Sequence, residues 1–248
     1  MRCDSAGGGC GDVRRLKDSM WQRLKRRYYW FVEARIRRVP ERASNPYPTH
    51  LPVLIALGRL LPVRRALELG CGEHSTLAFL DRRCFQHLEE LDSYENTADW
   101  RARILQRTRG DTRLRLTLVN GRMADVFVRV SVEDYDLIFV DDSLCMEERS
   151  TTIRTVGALR PQRAVVVMHD FENLPYREAA KQFHRCYRVT QLNPNTGVAW
   201  NRKQIASSDL HRLNRLLHKQ GPGFDLGDRD SWLRWMERHF MGQVPEFG

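Results

Sequence analysis

Short apolar runs alternate with amphipathic helical patterns along most of this chain, and that alternation limits the fold more than any other feature. Ala66–Leu69, Leu88–Tyr94, Leu114–Val119, Tyr135–Val140 and Ala164–Met168 read as strands. Helical patterns begin near Ser75 and cover 97–107, 146–159 and 175–184, and another over 50–61 leads into the first strand. Strands separated by helices pair in parallel, because the connection must return along the sheet to its starting end. The pattern then changes. Tyr187–Leu192 and Gly197–Asn201 are two strand-like runs joined only by Asn193-Pro194-Asn195-Thr196, which predicts an antiparallel hairpin. The expectation is an α/β chain with a doubly wound, seven-stranded sheet closed by that hairpin. Helices extend it at both ends, the last ones opening at Ser208-Asp209 and Asp230-Ser231, with Trp232, Trp235 and Phe240 packing on the main body.

At 248 residues the chain can bury a large core in one such domain. No apolar run approaches the ~20 residues that span a bilayer, and no signal peptide is visible. The six cysteines, Cys3, Cys10, Cys71, Cys84, Cys145 and Cys186, contain no C-x-x-C pair or other metal-binding spacing. Free thiols and a cytoplasmic setting are therefore expected. The formal charge is +10, and 36 of the 41 basic residues are arginine. Much of that charge is local, since residues 12–42 hold 11 Lys/Arg against 4 Asp/Glu. There Val13, Leu16, Met20, Leu24, Tyr28, Phe31 or Val32, and Ile36 recur at helical spacing, giving an amphipathic helix with basic outer faces. The expected organisation is a disordered tail over 1–11, the basic helix over 12–45, the α/β domain over 46–202 and a helical extension over 203–248.

Between the first strand and its helix lies ALELGCGEHST, residues 66–76. Gly70 and Gly72 suit a sharp turn with close backbone approach, and a helix opening at Ser75 presents unpaired N–H groups above it. Glu68 ends an otherwise apolar strand, and a buried carboxylate there needs a cation or hydrogen-bond donors. A dinucleotide fingerprint would need a third glycine at position 75, where this chain has serine.

The E-x-G-x-G pattern at Glu68, Gly70 and Gly72, with the closing hairpin, resembles the class I S-adenosylmethionine (SAM) methyltransferases. The resemblance implies SAM as cofactor, with Glu68 near its methionine end and the backbone at Gly70 and Gly72 passing beneath it. Ser75 and Thr76 carry hydroxyls suited to the cofactor carboxylate, with His74 a weaker candidate. Glu95, ending the second strand, is expected to accept the two ribose hydroxyls, in preference to Asp92. Asn120, Gly121, Arg122 and Met123 are expected to flank the adenine.

Asp141-Asp142 follows the apolar run LIFV and His169-Asp170 follows VVVM, so both pairs sit at the carboxyl ends of strands, where ligands bind in such sheets. An alcohol or phenol accepting a methyl group must lose its proton. Either His169 is the general base, or Asp141 and Asp170 hold Mg²⁺ or another hard cation against the acceptor oxygen. The second arrangement resembles the metal-dependent O-methyltransferases, although Phe171 and Ser143 depart from their patterns. His50 could reach the same pocket. The expected partner is a small-molecule acceptor, and a homo-oligomer is compatible with the sequence. An RNA or protein methyltransferase docking through the basic helix is the first alternative. It lacks support from an Asn/Asp-Pro-Pro-aromatic motif, since Asp141-Asp142-Ser143-Leu144 fills that slot. A non-catalytic SAM-fold interaction module is the second.

Overall fold

The computed structural model describes residues 45–202, 205–220 and 224–243. The basic helix expected over 12–45 and the tail over 1–11 lie outside the described residues, apart from Asn45. The first described helix, α1 (Leu51–Leu60), is buried over Leu51–Gly58 and leads into β1 (Arg65–Leu69). Then follow α2 (Ser75–Leu80), β2 (Glu90–Glu95), α3 (Ala98–Thr108), β3 (Leu114–Leu118) and β4 (Leu137–Val140). The second half contains α4 (Met146–Leu159), β5 (Val165–Met168), α5 (Leu174–Ala179), β6 (Arg185–Val189), β7 (Thr196–Trp200), α6 (Ser207–Leu216) and α7 (Arg229–Trp235).

All seven strands form one sheet in the order β3-β2-β1-β4-β5-β7-β6. The first five run parallel, and β7 is antiparallel to both β5 and β6. This is the doubly wound, Rossmann-like sheet with a closing hairpin that the sequence predicts. The chain winds outward from β1 to β3, then returns to lay β4 on the other side of β1. The crevice at the carboxyl ends of β1 and β4 is thus the switch point of the topology, where such sheets take ligands.

Alternate residues of the central strands enter two cores. Ala66, Leu137, Phe139, Val165 and Val167 face α1, α6 and α7, whereas Leu67, Leu69, Ile138, Val140, Val166 and Met168 face α4 and α5. Every residue of β4 and β5 is buried, as expected of strands covered on both faces. Trp232, Trp235 and Phe240 join the first core, as their spacing predicts.

Several boundaries differ from the expected ones. β6 starts at Arg185 rather than 187 and ends at Val189, because it is the edge strand and its solvent-facing residues hide the alternation. The helix expected over 175–184 is α helix only to Ala179 and tightens to a 3₁₀ turn over Ala180–Gln182. The last helix opens two residues early, with Asp228 as its cap: its carboxylate accepts from the Asp230 and Ser231 N–H groups at 3.0 and 3.1 Å. No helix among the described residues is long and apolar enough to cross a membrane.

Candidate active site

The turn after β1 is built against the end of β4. Gly70 has φ +88°, and a Cβ there would lie 2.2 Å from the Asp141 carbonyl oxygen, so no other residue fits without moving that backbone. The neighbouring strands hold it in place, since Gly70 N–H donates to Tyr94 O at 2.8 Å and Asp141 N–H to Leu69 O at 2.8 Å. Trp100 Nε1 donates to the Cys71 carbonyl at 2.6 Å, tying the turn to α3.

Glu68 is fully buried and meets hydroxyl donors, with no cation beside it among the described residues. Its Oε2 accepts from Thr76 Oγ1 at 2.7 Å and Ser93 Oγ at 2.6 Å, while its Oε1 has no hydrogen-bond partner. Burial pushes its pKa up to about 7, with the hydroxyls of Ser75, Ser93 and Thr76 opposing that rise. Thr76 Oγ1 also accepts from the Gly72 N–H at 3.0 Å, so this hydroxyl is already engaged within the turn. Ser75 is buried beside it. His74 makes no cap to α2 and lies against the loop at Gly227.

Glu95 reaches across to the same turn. Its Oε2 accepts from Cys71 N–H at 3.2 Å, and its Oε1 from the Asn96 and Thr97 N–H groups at 3.0 and 2.9 Å. Asp92, the other candidate carboxylate, is held by Arg115 at 2.6 and 2.9 Å and by the Tyr135 hydroxyl at 2.6 Å. Asp92 is therefore a structural ion pair between strands, and Glu95 is the carboxylate bonded to the glycine turn. In the loop after β3, Asn120 and Gly121 are exposed and Arg122 pairs with Asp125 at 2.9 Å. Met123 differs from expectation: it is buried in the core on the α4 side. A groove of about 510 Å³ runs beside this loop, with Tyr94, Leu118, Asn120 and Asp125 among its walls.

The ends of β4 and β5 gather Asp141, Asp142, His169 and Asp170 around one residue that the sequence did not single out. Arg149, in the second turn of α4, is 3% exposed and points back at the strand ends. Its Nη2 lies 2.8 Å from Asp141 Oδ1 and its Nη1 2.7 Å from Asp170 Oδ2. The guanidinium therefore sits between the two carboxylates expected to share a metal. That pairing does not fit a hard cation, because a fixed positive charge already bridges it. The adjacent strand-end acids Asp141 and Asp142 were the available signal, and Arg149 is the first basic residue after them.

His169 is buried and held at both nitrogens. Its Nδ1 faces Asp141 Oδ2 at 3.3 Å, and its Nε2 lies 2.9 Å from Thr49 Oγ1, whose hydroxyl is 3.2 Å from the Pro46 carbonyl. Burial alone would depress its pKa, but the charge of Asp141, their hydrogen bond and Asp170 prevail and raise it. Asp141 shows the converse. Burial pushes upward, yet His169 and Arg149 hold it down to about 2. Asp142, bonded to Thr152 Oγ1 at 2.6 Å, is pushed up to about 6 by burial.

His50, the residue just before α1, completes the cluster. It is 3% exposed, its ring centroid is 4.7 Å from that of His169 and 4.9 Å from that of Phe139, and neither ring nitrogen has a hydrogen-bond partner among the described residues. Burial, followed by the neighbouring His169, lowers its pKa well below the ordinary value. Thr49 and His50 come from the segment before β1, so their approach to the end of β5 is a product of the fold.

The sequence matches no family model, and no curated protein sequence matches it significantly. Among solved structures, it is similar to the N-methyltransferase NodS from Bradyrhizobium japonicum WM9 in complex with S-adenosyl-L-homocysteine. The identity is 13%, with 64% of this chain and 87% of NodS covered and a TM-score of 0.44. It is also similar to cofactor-bound Rv0187 from MTB, at 16% identity, with 80% of this chain and 100% of that one covered and a TM-score of 0.46. These likenesses concern the arrangement of strands and helices.

Proposed function

We propose that this chain is a SAM-dependent methyltransferase that methylates an oxygen of a small molecule. The observation that carries this reading is the meeting of two groups of residues at the switch point of the sheet. The glycine turn, Glu68 and Glu95 lie at the ends of β1 and β2, and the histidine–carboxylate cluster lies beside them at the ends of β4 and β5. Glu95 Oε1 already accepts two backbone N–H groups, whereas Oε2 accepts one and has only the Cys71 thiol at 3.5 Å beside it, so Oε2 is the oxygen with room for a ribose hydroxyl. In the reaction the acceptor oxygen attacks the methyl carbon, a C–O bond forms as the C–S bond breaks, and S-adenosylhomocysteine leaves. The acceptor's proton must be removed, and His50, Asp141 and His169 are the groups gathered to manage it. Leu144, Met146 and Leu174, in or beside the loops after β4 and β5, expose apolar side chains around this end of the sheet. An acceptor with an apolar portion suits such a rim. The cysteines Cys71, Cys84, Cys145 and Cys186 carry free thiols, in keeping with a cytoplasmic setting.

Calorimetric titration of the full chain with SAM, S-adenosylhomocysteine and NAD tests the reading. Binding of the first two without the third is expected, weakened about tenfold or more in Glu95→Ala, roughly the worth of one hydrogen bond to a charged group. Binding of NAD alone would overturn the cofactor assignment. Incubation with methyl-labelled SAM, small-molecule extract and total RNA then separates acceptors, and label appearing in RNA alone would overturn the small-molecule assignment.

A further inference from the structure

A cluster of candidate ligand atoms distinct from the Asp141–Asp170 pair lies at the same end of the sheet. One ligand atom each from His50, Asp141 and His169 lies within 4.8 Å of the other two. The hydrogen bonds define what can lie among them. Thr49 Oγ1 is placed to donate to the Pro46 carbonyl and to accept from His169 Nε2–H. With the ring proton on Nε2, the lone pair of Nδ1 points at Asp141 Oδ2, 3.3 Å away. Two lone pairs in that position repel unless a positive centre lies between them, either a proton or a metal ion. A tetrahedral ion held at 2.0–2.1 Å separates its ligand atoms by about 3.3–3.4 Å, and the observed distance matches that spacing.

His50 decides between proton and metal. A proton shared by His169 and Asp141 leaves both His50 nitrogens buried without a partner, and unpaired buried polar groups are costly. A metal ion takes one of them as its third ligand after a small turn of the ring. Charge agrees. Among the described residues Arg149 brings one fixed positive charge to Asp141, Asp142 and Asp170, so more positive charge is wanted there when all three are ionised. Arg149 holds Oδ1 of Asp141 and leaves Oδ2 to the ion, while Thr49 fixes the His169 ring from behind, as outer-shell partners of metal-bound histidines do.

We propose that His50, Asp141 and His169 form a binding site for a divalent transition metal ion. Two imidazoles and one carboxylate suit Zn²⁺, Co²⁺, Ni²⁺ or Fe²⁺ over Mg²⁺. Three protein ligands leave a position open for the acceptor oxygen, whose proton the ion would make easier to lose. This last consequence rests on the methyl-transfer reading, but the binding itself does not.

The full chain, stripped with chelator and titrated with Co²⁺ alone, is expected to bind one equivalent at micromolar or tighter affinity and to gain visible d–d absorption. In the paramagnetic proton NMR spectrum of wild-type protein, ring signals of two histidines should be strongly shifted. His50→Phe, which keeps an aromatic ring beside Phe139, should weaken binding by about a hundredfold or more, and Thr49→Val by roughly 10–100-fold. Competition by Zn²⁺ but not by Mg²⁺ is expected. Absence of stoichiometric binding by wild-type protein, shifted signals from fewer than two histidines, or unchanged affinity in a folded His50→Phe variant would each overturn the site. If His50→Phe does not fold, the wild-type spectrum and Thr49→Val decide. SAM titrated into the same samples separates the two proposals. SAM binding without metal binding removes this one alone, and metal binding without SAM removes the methyl-transfer reading alone.

Discussion

At the scale of single residues, the strand-end acids are the part of the site most legible in the sequence, and the base they share is the least. Asp141, Asp142 and Asp170 each follow a continuous apolar run, so their place at the carboxyl end of a strand needs no tertiary information. Arg149 lies eight residues beyond Asp141, on a helix whose rotation decides whether it faces water or the strands, and no local pattern fixes that. His50 was nameable as a candidate for the pocket, but its place against His169 needs the fold, since it precedes β1 in sequence and meets the end of β5 in space. Arg149 carries a prediction of its own. Arg149→Met would leave Asp141 and Asp170 without their buried counter-charge, and breaking a buried pair from one side costs about 3–5 kcal/mol. Arg149→Lys keeps the charge but cannot bridge two carboxylates with a planar fork, so it should fall between. Urea unfolding of the two variants beside wild type checks the order, and equal stability of all three would show that Arg149 does not compensate these acids.

Elements were legible in proportion to how many of their faces are covered. β4 and β5 are buried throughout, and LIFV and VVVM stand out without any register argument. The edge strand β6 has exposed residues at its start, and there the expected boundary slipped by two residues. Helix starts depend on which polar side chain turns inward, and this also needs the structure: of the two aspartates before Trp232, only Asp228 caps α7. Because α7 carries Trp232 and Trp235 into the first core, the cap matters beyond its own turn. Asp228→Ala should cost about 1 kcal/mol, or roughly 2–4 °C of melting temperature for a chain of this size. Asp230→Ala, which removes only the exposed partner of Arg83, should change little. Calorimetric melts distinguish them, and an equal loss in both would refute the assignment of Asp228 as the cap.

For the molecule as a whole, the buried acids near the switch point give stability a pH dependence opposite to that of ordinary paired carboxylates. The folded chain holds the Glu68 proton up to about pH 7 and that of Asp142 up to about pH 6, whereas their ordinary values are 4.5 and 3.8. A raised pKa means that the folded state binds the proton more tightly. Its contribution is complete below the ordinary value and is lost as pH rises through the folded one. Asp141, lowered to about 2, behaves in the usual way and loses its contribution only as pH falls below 3.8. His50 also opposes the trend, because its lowered pKa makes the folded state gain as pH rises toward 6.5. The wild-type curve therefore mixes signs, and one substitution isolates Glu68. Glu68→Gln removes titration at that site, and any misfit of the amide is the same at every pH. The stability of the variant relative to wild type should improve between pH 4.5 and 8 by an amount on the order of 3 kcal/mol, most of it between pH 5 and 7. Urea midpoints at pH 5, 6, 7 and 8 provide the comparison. Parallel curves would mean that Glu68 ionises as it does in water, and the buried, hydroxyl-bound carboxylate at the glycine turn would then have to be hydrated after all.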